Sequence, residues 1–211
     1  MKGLLAAIGG LILFAVVLII GTAVGAVAWY TGTYSGLNNG EQQVQRSWAD
    51  IGSTMKRRAD LIPNLVEVVK GSAAHEHDTL ADVTEARAKI GKINIDAASN
   101  NPEVMQNLSK AQGEFSSALS RLMVVVEKYP DLKANENFRD LQSQVEGTEN
   151  RINVAREKYN KFVAEQNARV DGLLSSYIAG RYNYAKHPFF EVTEAEKVTP
   201  KISFSKKDGD K

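Results

Sequence analysis

The sequence predicts an all-α protein: an N-terminal transmembrane helix, then an elongated up-and-down bundle of three to four long antiparallel helices with a short C-terminal helix or loop. Three observations predict it. Residues 3–30 are almost wholly apolar, apolar residues beyond position 44 recur at alternating steps of four and three, and no later segment alternates with period two over a useful length. The expected organisation is an anchor at 1–31, a linker at 32–40, a helical bundle at 41–190 and a flexible tail at 191–211.

The first element is a membrane anchor. No charged residue occurs between Lys2 and Glu41, and a helix of about 20 apolar residues crosses the hydrocarbon core of a bilayer. Trp29 and Tyr30 lie where an interfacial aromatic belt is expected. The alternative is a cleaved signal peptide, but the apolar run is about twice the usual signal core of about 7–15 residues, which favours an uncleaved single-pass anchor. Counting positive charges places the bundle outside the cytoplasm by a margin of about one charge.

Gly and Asn are frequent in residues 32–40, which indicates a linker or a break. A long helical stripe follows, in which Arg58, Glu76 and Arg87 occupy polar positions. Its apolar members are Val44, Trp48, Ile51, Met55, Ile62, Leu65, Val69, Ala73, Leu80, Val83 and Ile90. Pro63 leaves two interpretations open, because proline removes a backbone donor and clashes with the preceding turn. A break there gives four helices, whereas a kink leaves a stalk whose lower seam must meet another subunit or the C-terminal segment.

Two further helices complete the predicted bundle. Asn101 is a suitable N-cap with Pro102 in the first helical position, and Pro130 disfavours helical geometry at Tyr129, where this second helix should end. The second stripe is Val104, Leu108, Ala111, Phe115, Leu119, Leu122, Val126 and Tyr129; the third is Phe138, Leu141, Val145, Thr148, Ile152, Ala155, Tyr159, Phe162 and Gln166.

The C-terminal part of the bundle is rich in aromatic residues: Tyr177, Tyr182, Tyr184, Phe189 and Phe190. One interpretation is a short helix and loop that closes one end of the bundle, since a bundle end needs an apolar cap. The other is a docking surface, because aromatic residues are enriched in interface cores. The mostly polar residues from Thr193 onward indicate a loose tail.

The stretch from His75 to Asp78 suggests a metal site, but its spacing argues against one. On a helix, His75 and His77 would project about 200° apart and could not share a ligand. His75, Asp78 and Asp82 would share a face, which leaves a weaker metal hypothesis. No phosphate loop or nucleophile elbow is present, and we expect no catalytic residue, no metal and no cofactor.

The basic run Lys56–Arg58 could suggest anionic lipid or nucleic acid. Because Arg58 falls on the apolar stripe, an ion pair with Glu149 or Glu146 of the third helix is the more economical interpretation. Arg58, Glu76 and Glu149 are therefore candidates for a polar network in the helix seam. The near-neutral net charge of +1 gives no reason to expect a nucleic-acid partner. The absence of cysteine excludes disulfides, thiolate metal sites and cysteine nucleophiles.

Several of these segments, in order, resemble the LemA family. They are WADI from Trp48, RRADLIPNLVEVVKG from Arg57, AAHE from Ala73, YPDLKANENFRDLQ from Tyr129, TENRINVAREKYN from Thr148, and Phe189-Phe190. The chain departs from the family pattern after Val170, where the family tends to have Phe-Pro and this sequence has Tyr177-Ile178. The resemblance implies a bacterial membrane protein with one N-terminal span, a helical bundle at residues 41–190 and no established catalytic activity. It also implies gene neighbours such as membrane zinc proteases, relatives among magnetosome proteins, and a short amino terminus outside, which conflicts with the charge count.

Three functional hypotheses follow. The first is a non-enzymatic, membrane-anchored and self-associating adaptor or scaffold at the bacterial cell envelope, in the cytoplasmic (inner) membrane, with lipid, a second copy or a membrane zinc protease as partner. The second is a lipid-binding or membrane-organising protein that uses Lys56–Arg58. The third is a metal-dependent hydrolase that uses His75, Asp78 and Asp82.

Overall fold

The computed structural model describes residues 2–95 and 101–191, with side chains from Gly9 onward. These residues form six helices and no strand, which confirms the all-α prediction. The helices are α1 (Lys2–Ser72), α2 (His77–Lys92), α3 (Pro102–Val126), α4 (Pro130–Ala134), α5 (Glu136–Asp171) and α6 (Ser175–Arg181). The predicted tail at 191–211 lies outside the described residues except for Glu191.

The chain forms two compact units. The anchor unit consists of Met1–Ser47 and Lys158–His187, and the bundle unit consists of Trp48–Glu157 and Pro188–Lys211. Helices α1 and α5 each contain residues of both units.

The predicted linker at 32–40 is wrong, because these residues continue α1 without interruption. Glycine and asparagine are poor helix formers, but tertiary packing overrides such propensities. Leu37 is 1% exposed and belongs to an apolar cluster with Ile178 and Ala179 of α6, against which Val170 also packs. Burial of this face keeps the segment helical.

Helix α1 also continues through Pro63, so the break that produces a fourth long helix is not there. It falls between Ser72 and His77, where the chain makes a turn before α2. Periodicity could not reveal this turn, because Ala73 and Leu80 are both buried and keep the stripe in phase across it. Poor helix formers precede the turn at Gly71 and Ser72, and Asp78 in the first turn of α2 favours a helix start.

Pro63 is tolerated because another residue compensates for its missing N–H. In an uninterrupted α-helix, the N–H of residue 63 would donate to the carbonyl oxygen of Ala59. Instead, the Nε of Arg87 in α2 donates to that oxygen at 2.7 Å. Arg87, one of the polar residues on the predicted stripe, therefore satisfies the acceptor that proline leaves open.

The core of the bundle unit is filled by apolar side chains from α1 to α5. All eleven apolar members of the first stripe are buried, as is most of the second and third. The main cluster consists of Ile62, Leu65, Val69, Ala73, Leu80, Val83, Ala86, Ile90, Ala111, Phe115, Ala118, Leu119, Leu122, Val126, Leu132, Phe138 and Val145. Burying each Val, Leu, Ile or Phe side chain of this cluster stabilises the fold by about 1.5–3 kcal/mol, so the stripes are the main source of stability.

The capping predictions for α3 are confirmed at its start and refined at its end. The side chain of Asn101 accepts hydrogen bonds from the backbone N–H groups of Glu103 and Val104. The helix ends at Val126, and Pro130 begins the short helix α4, which the sequence did not predict. Leu132 of α4 is buried in the main cluster, which explains why this connection is ordered.

Candidate functional site

The predicted ion pair in the helix seam is present. Arg58, whose side chain is 4% exposed, pairs with Glu149 of α5. Its guanidinium also lies 4.8 Å from the ring centroid of Phe115 and within 3.4 Å of the Ser116 hydroxyl. A charge at this depth is tolerated because an opposite charge, an aromatic face and a hydroxyl surround it.

Glu76 does not join that network. It lies in the turn before α2, and its carboxylate accepts a hydrogen bond of 3.1 Å from the hydroxyl of Tyr129. This bond is the main cause that raises the pKa of Tyr129, because loss of the phenol proton would remove the bond. The structure therefore brings together two of the three predicted seam residues, Arg58 and Glu149.

The basic run at Lys56–Arg58 does not present three cations to solvent. Lys56 and Arg57 are exposed, but Arg58 is buried and paired within the bundle unit. The lipid-binding hypothesis based on this run thus loses one of its three charges.

The residues of the weak metal hypothesis are separated by local structure. His75 lies in the turn before α2 rather than on a helix, so the helical geometry assumed for it is wrong. Asp82 of α2 accepts a hydrogen bond of 3.0 Å from Arg121 of α3. Over residues 9–95 and 101–191, no group of three or more His, Asp or Glu side chains is arranged to hold a metal ion.

A shallow groove between α2 and α3 gathers several charged side chains, including those of Asp82 and Arg121. Within it, Lys89 of α2 lies 3.1 Å from Glu114 and 3.4 Å from Glu85. The hydrogen bond with Glu114, followed by that with Glu85, raises the pKa of Lys89. General base catalysis needs a pKa near the working pH, and this shift moves the amine away from that range. The groove is thus a set of surface ion pairs.

His187, for which the sequence gave no role, is buried in the anchor unit. Its Nε2 lies 2.8 Å from a carboxylate oxygen of Glu41, and its backbone N–H and carbonyl both bond to the Asn167 side chain at 2.9 Å. The hydrogen bond with His187 is the main cause that lowers the pKa of Glu41, against an opposing effect of burial. Burial, followed by the charge of Glu41, raises the pKa of Tyr159. No spacing signal predicts this cluster, because Glu41, Tyr159 and His187 lie far apart in sequence.

The five aromatic residues of the candidate docking surface have different environments. In the anchor unit, Tyr177 and Tyr182 are 77% and 45% exposed, and Tyr184 is half-buried. In the bundle unit, Phe189 is 48% exposed but Phe190 is 1% exposed, so including Phe190 in a surface was wrong.

Phe190 instead packs beside Trp48 of the first stripe. The ring centroids of Phe190 and Trp48 lie 6.1 Å apart. The guanidinium of Arg156 lies 4.6 Å from the ring centroid of Phe190. The indole N–H of Trp48 donates to the carbonyl of Ile95 at 2.8 Å, and the Ser109 hydroxyl donates to the carbonyl of Glu191 at 2.9 Å. At Trp48, then, the seam is covered by the C-terminal segment of the same chain.

The N-terminal part of α1 is the one helix of the described residues that is long and apolar enough to cross a membrane, by length and composition. Its side chains are left uncovered by the rest of the chain: Leu11, Ile12, Leu13, Phe14, Val16, Val17, Leu18, Ile19, Ile20, Val24 and Val27 are each 47–70% exposed. An apolar helical surface of this kind suits contact with lipid. The fold and this helix define a membrane-associated protein built around a helical bundle.

The comparison with known proteins identifies the family. A sequence model of the LemA family matches residues 47–204, and the chain belongs to this family. Protein LemA of Metamycoplasma hominis is 22% identical over 169 residues, covering 80% of this chain and 74% of the relative. Magnetosome protein MamQ of Magnetospirillum gryphiswaldense is 25% identical over 186 residues, covering 77% of this chain and 66% of that protein. Magnetosome protein MamQ 2 of Paramagnetospirillum magneticum is 24% identical with the same coverage.

Proposed function

We propose that this chain is a non-enzymatic adaptor or scaffold of the bacterial cell envelope, held in the cytoplasmic membrane by the N-terminal part of α1. The observation that carries the proposal is how the polar residues are used. Arg58 pairs with Glu149, Glu76 accepts from Tyr129, and Asp82 accepts from Arg121. These polar side chains, among them Asp82 of the metal hypothesis, thus join neighbouring elements of the bundle unit.

Self-association is part of the proposal, although its support has changed. From the sequence, a kink at Pro63 would leave a lower seam that meets another subunit or the C-terminal segment. In the structure, Val44, Trp48 and Ile51 are all at most 4% exposed within the single chain. The remaining support is apolar surface on the long helices of the bundle unit, at Val124 of α3 and Val154 of α5, which are 67% and 58% exposed. Apolar side chains on a helix face suit packing against another helix.

A partner in the membrane is the second way in which a scaffold would act. Relatives at 24–25% identity are named as magnetosome proteins, and the family resemblance suggests a membrane zinc protease as one partner. Both ideas concern assembly around a membrane-anchored helical domain, and neither requires this chain to carry a reaction.

The experiment is a mass measurement on the full-length protein extracted from membranes in mild detergent. Light scattering, with the detergent contribution subtracted, should give more than the 23.1 kDa of one chain, or a defined membrane protein should copurify in stoichiometric amount. Val124→Glu and Val154→Glu should each reduce the assembled fraction, because each places a charge on the apolar surface proposed for packing. A strict monomer without a stoichiometric partner would contradict the proposal.

A further inference from the structure

The end of the apolar segment of α1 contacts a second element of the anchor unit. The hydroxyl of Tyr30 lies 2.9 Å from that of Tyr182, and the rings of Tyr34 and Tyr182 are 4.7 Å apart between centroids. Tyrosines at this place are typical of the layer between hydrocarbon and water, because the ring is apolar and the hydroxyl is polar. Tyr182, just after α6, is therefore held at the level where α1 leaves the bilayer.

The position of Tyr182 is fixed by the way α6 ends. Asn183 has a φ of 57°, a left-handed conformation that asparagine adopts more readily than most residues. The backbone N–H of Tyr184 then donates to the carbonyl of Ala179 at 2.9 Å, which closes the helix end. On the inner side, Ile178 and Ala179 are buried with Leu37. Helix α6 is thus packed onto α1 and is not a loose appendage.

The outer side of the α5–α6 connection carries exposed apolar residues. Leu173 is 93% exposed, Leu174 is 63% exposed and Tyr177 is 77% exposed. Together with Tyr182 we call these four residues the interfacial face. Two consecutive exposed leucines on a turn that is held in place by buried neighbours are costly in water, because each leaves most of its apolar surface hydrated. Their exposure needs a covering partner.

The contacts of α5 place this face beside the membrane segment. The Gln166 amide donates to the carbonyl of Leu37, and Val170 packs against the cluster that contains Leu37. Leu173 follows three residues beyond Val170, and α6 then brings the chain to Tyr30. Tyr30 is seven residues before Leu37, or about 10 Å along α1. The interfacial face therefore lies between the level of Leu37 and the end of the apolar segment.

We propose that the interfacial face is a second membrane contact, in which the α5–α6 connection inserts its leucines into the headgroup–acyl boundary of the leaflet that α1 leaves. The occupant is the lipid interface itself, because the face continues the lipid-facing surface at Tyr30. Interfacial elements typically reach about 5–10 Å into this boundary, which suits side chains on a single turn. Arg181, exposed in the last turn of α6, would meet lipid phosphates.

This inference rests on the membrane anchoring within the proposed function, but not on the adaptor role. The two fail separately, because a monomer without partners can still make this contact.

The test uses spin labels on single cysteines in the full-length protein, since the native chain has no cysteine. The protein is placed at one copy per phosphatidylcholine nanodisc, so that neither a second copy nor another protein can cover the face. Collisions with oxygen and with a water-soluble nickel complex then report depth. The variants are Leu173→Cys, the anchor reference Val17→Cys, and the matched control Ala164→Cys, an exposed residue on α5 of the same unit.

The ratio of oxygen to nickel collisions at position 173 should be several-fold higher than at position 164 and should approach that at position 17. Phosphatidylcholine alone should be sufficient for this ratio, because the leucines insert through burial of apolar surface. A water-like ratio at 173 with a bilayer-like ratio at 17 would overturn the inference. So would a bilayer-like ratio at 173 that needs anionic lipid or several copies per disc. A water-like ratio at 17 would overturn the anchoring and the inference together.

Discussion

Among single residues, Arg58 shows how a charge specifies contacts inside an apolar seam. In its pair with Glu149, the Arg58 side chain is 4% exposed and the Glu149 side chain is 31% exposed. Removal of the carboxylate would leave a guanidinium buried without its counter-charge, which is more costly than loss of the pair as a whole.

We therefore expect Glu149→Leu to lower the free energy of unfolding by about 1–3 kcal/mol, the usual range for a charged hydrogen-bonding partner lost from a buried group. Arg58→Met should recover part of this loss when combined with Glu149→Leu. The measurement is thermal unfolding followed by circular dichroism in detergent, as a double-mutant cycle. Additive effects of the two changes would show that the pair contributes no coupling.

Glu41 gives a second prediction at this scale, concerning pH. Its pKa is lowered in the folded state, mainly by the hydrogen bond with His187. The contribution to stability is therefore complete above the ordinary glutamate pKa of about 4.3. It is lost as the pH falls further through the lowered folded value, because the unfolded state takes up the proton first.

The stability difference between the native protein and Glu41→Gln should thus shrink as the pH is lowered from about 4.5. Unfolding midpoints measured in steps from pH 6 downward test this, with Glu157→Gln, a change at an exposed glutamate on α5, as the control. A difference that stays constant below pH 4 would contradict the assignment to Glu41.

For whole elements, the continuity of α1 depends on contacts that only the folded chain provides. The stripe from Val44 to Val69 was predictable because a helical period survives any local irregularity. The path at Pro63 was not, since it depends on Arg87, which is distant in sequence, reaching the Ala59 carbonyl. Residues 32–40 were misinterpreted for the same reason: composition indicated a break, and burial against α5 and α6 decided for a helix.

The compensation at Pro63 predicts a coupling. Arg87→Met should cost about 1–3 kcal/mol, because the Ala59 carbonyl loses its partner. In a Pro63→Ala background the cost should be smaller, since the backbone N–H of residue 63 then bonds that carbonyl. Unfolding midpoints of the four variants measure the coupling, and Lys89→Met, at a surface ion pair, should have little effect. Equal costs of Arg87→Met in both backgrounds would refute the compensation.

Two glycines in residues 32–40, the segment predicted to be a linker, should respond in opposite ways to substitution by alanine. A Cβ atom at Gly40 would overlap the side chains of Gln166 and Arg169, whereas one at Gly36 would meet nothing within 4 Å. Gly40→Ala should therefore destabilise the protein by about 1–3 kcal/mol through overpacking. Gly36→Ala should be neutral or stabilising by up to about 1 kcal/mol, because alanine is the better helix former. If both variants shifted the thermal midpoint in the same direction and by a similar amount, the packing around Gly40 would be contradicted.

At the scale of the whole molecule, the sequence was sufficient for the fold class, the family and the Arg58–Glu149 pair, but not for the other clusters. Apolar stripes and helix caps depend on residues close together in sequence, so the long helices and most buried residues could be predicted. The cluster of His187, Glu41 and Asn167, and the exposed turn at Leu173, arise from residues brought together by the fold, and neither has a spacing signature.

Topology is the whole-molecule property with the most direct test. The charge count predicts a bundle unit outside the cytoplasm. If so, the single cysteine of Ser143→Cys, exposed on α5, should react with a membrane-impermeant maleimide in intact cells. If the cysteine were labelled only after the cells are lysed, the bundle unit would lie in the cytoplasm, which is the opposite topology. An intact mass that retains the N-terminal residues would further support an uncleaved anchor.

The chain has two tryptophans, and they stand in contrasting surroundings. Trp29, 45% exposed, is in the apolar part of α1, while Trp48, 4% exposed, bonds to Ile95 and packs beside Phe190. Replacing either by phenylalanine leaves a single tryptophan, which can be excited selectively in the presence of the tyrosines. Quenching by brominated lipid would then follow Trp29 during membrane insertion, and the emission maximum of Trp48 would follow unfolding of the bundle, without any added dye.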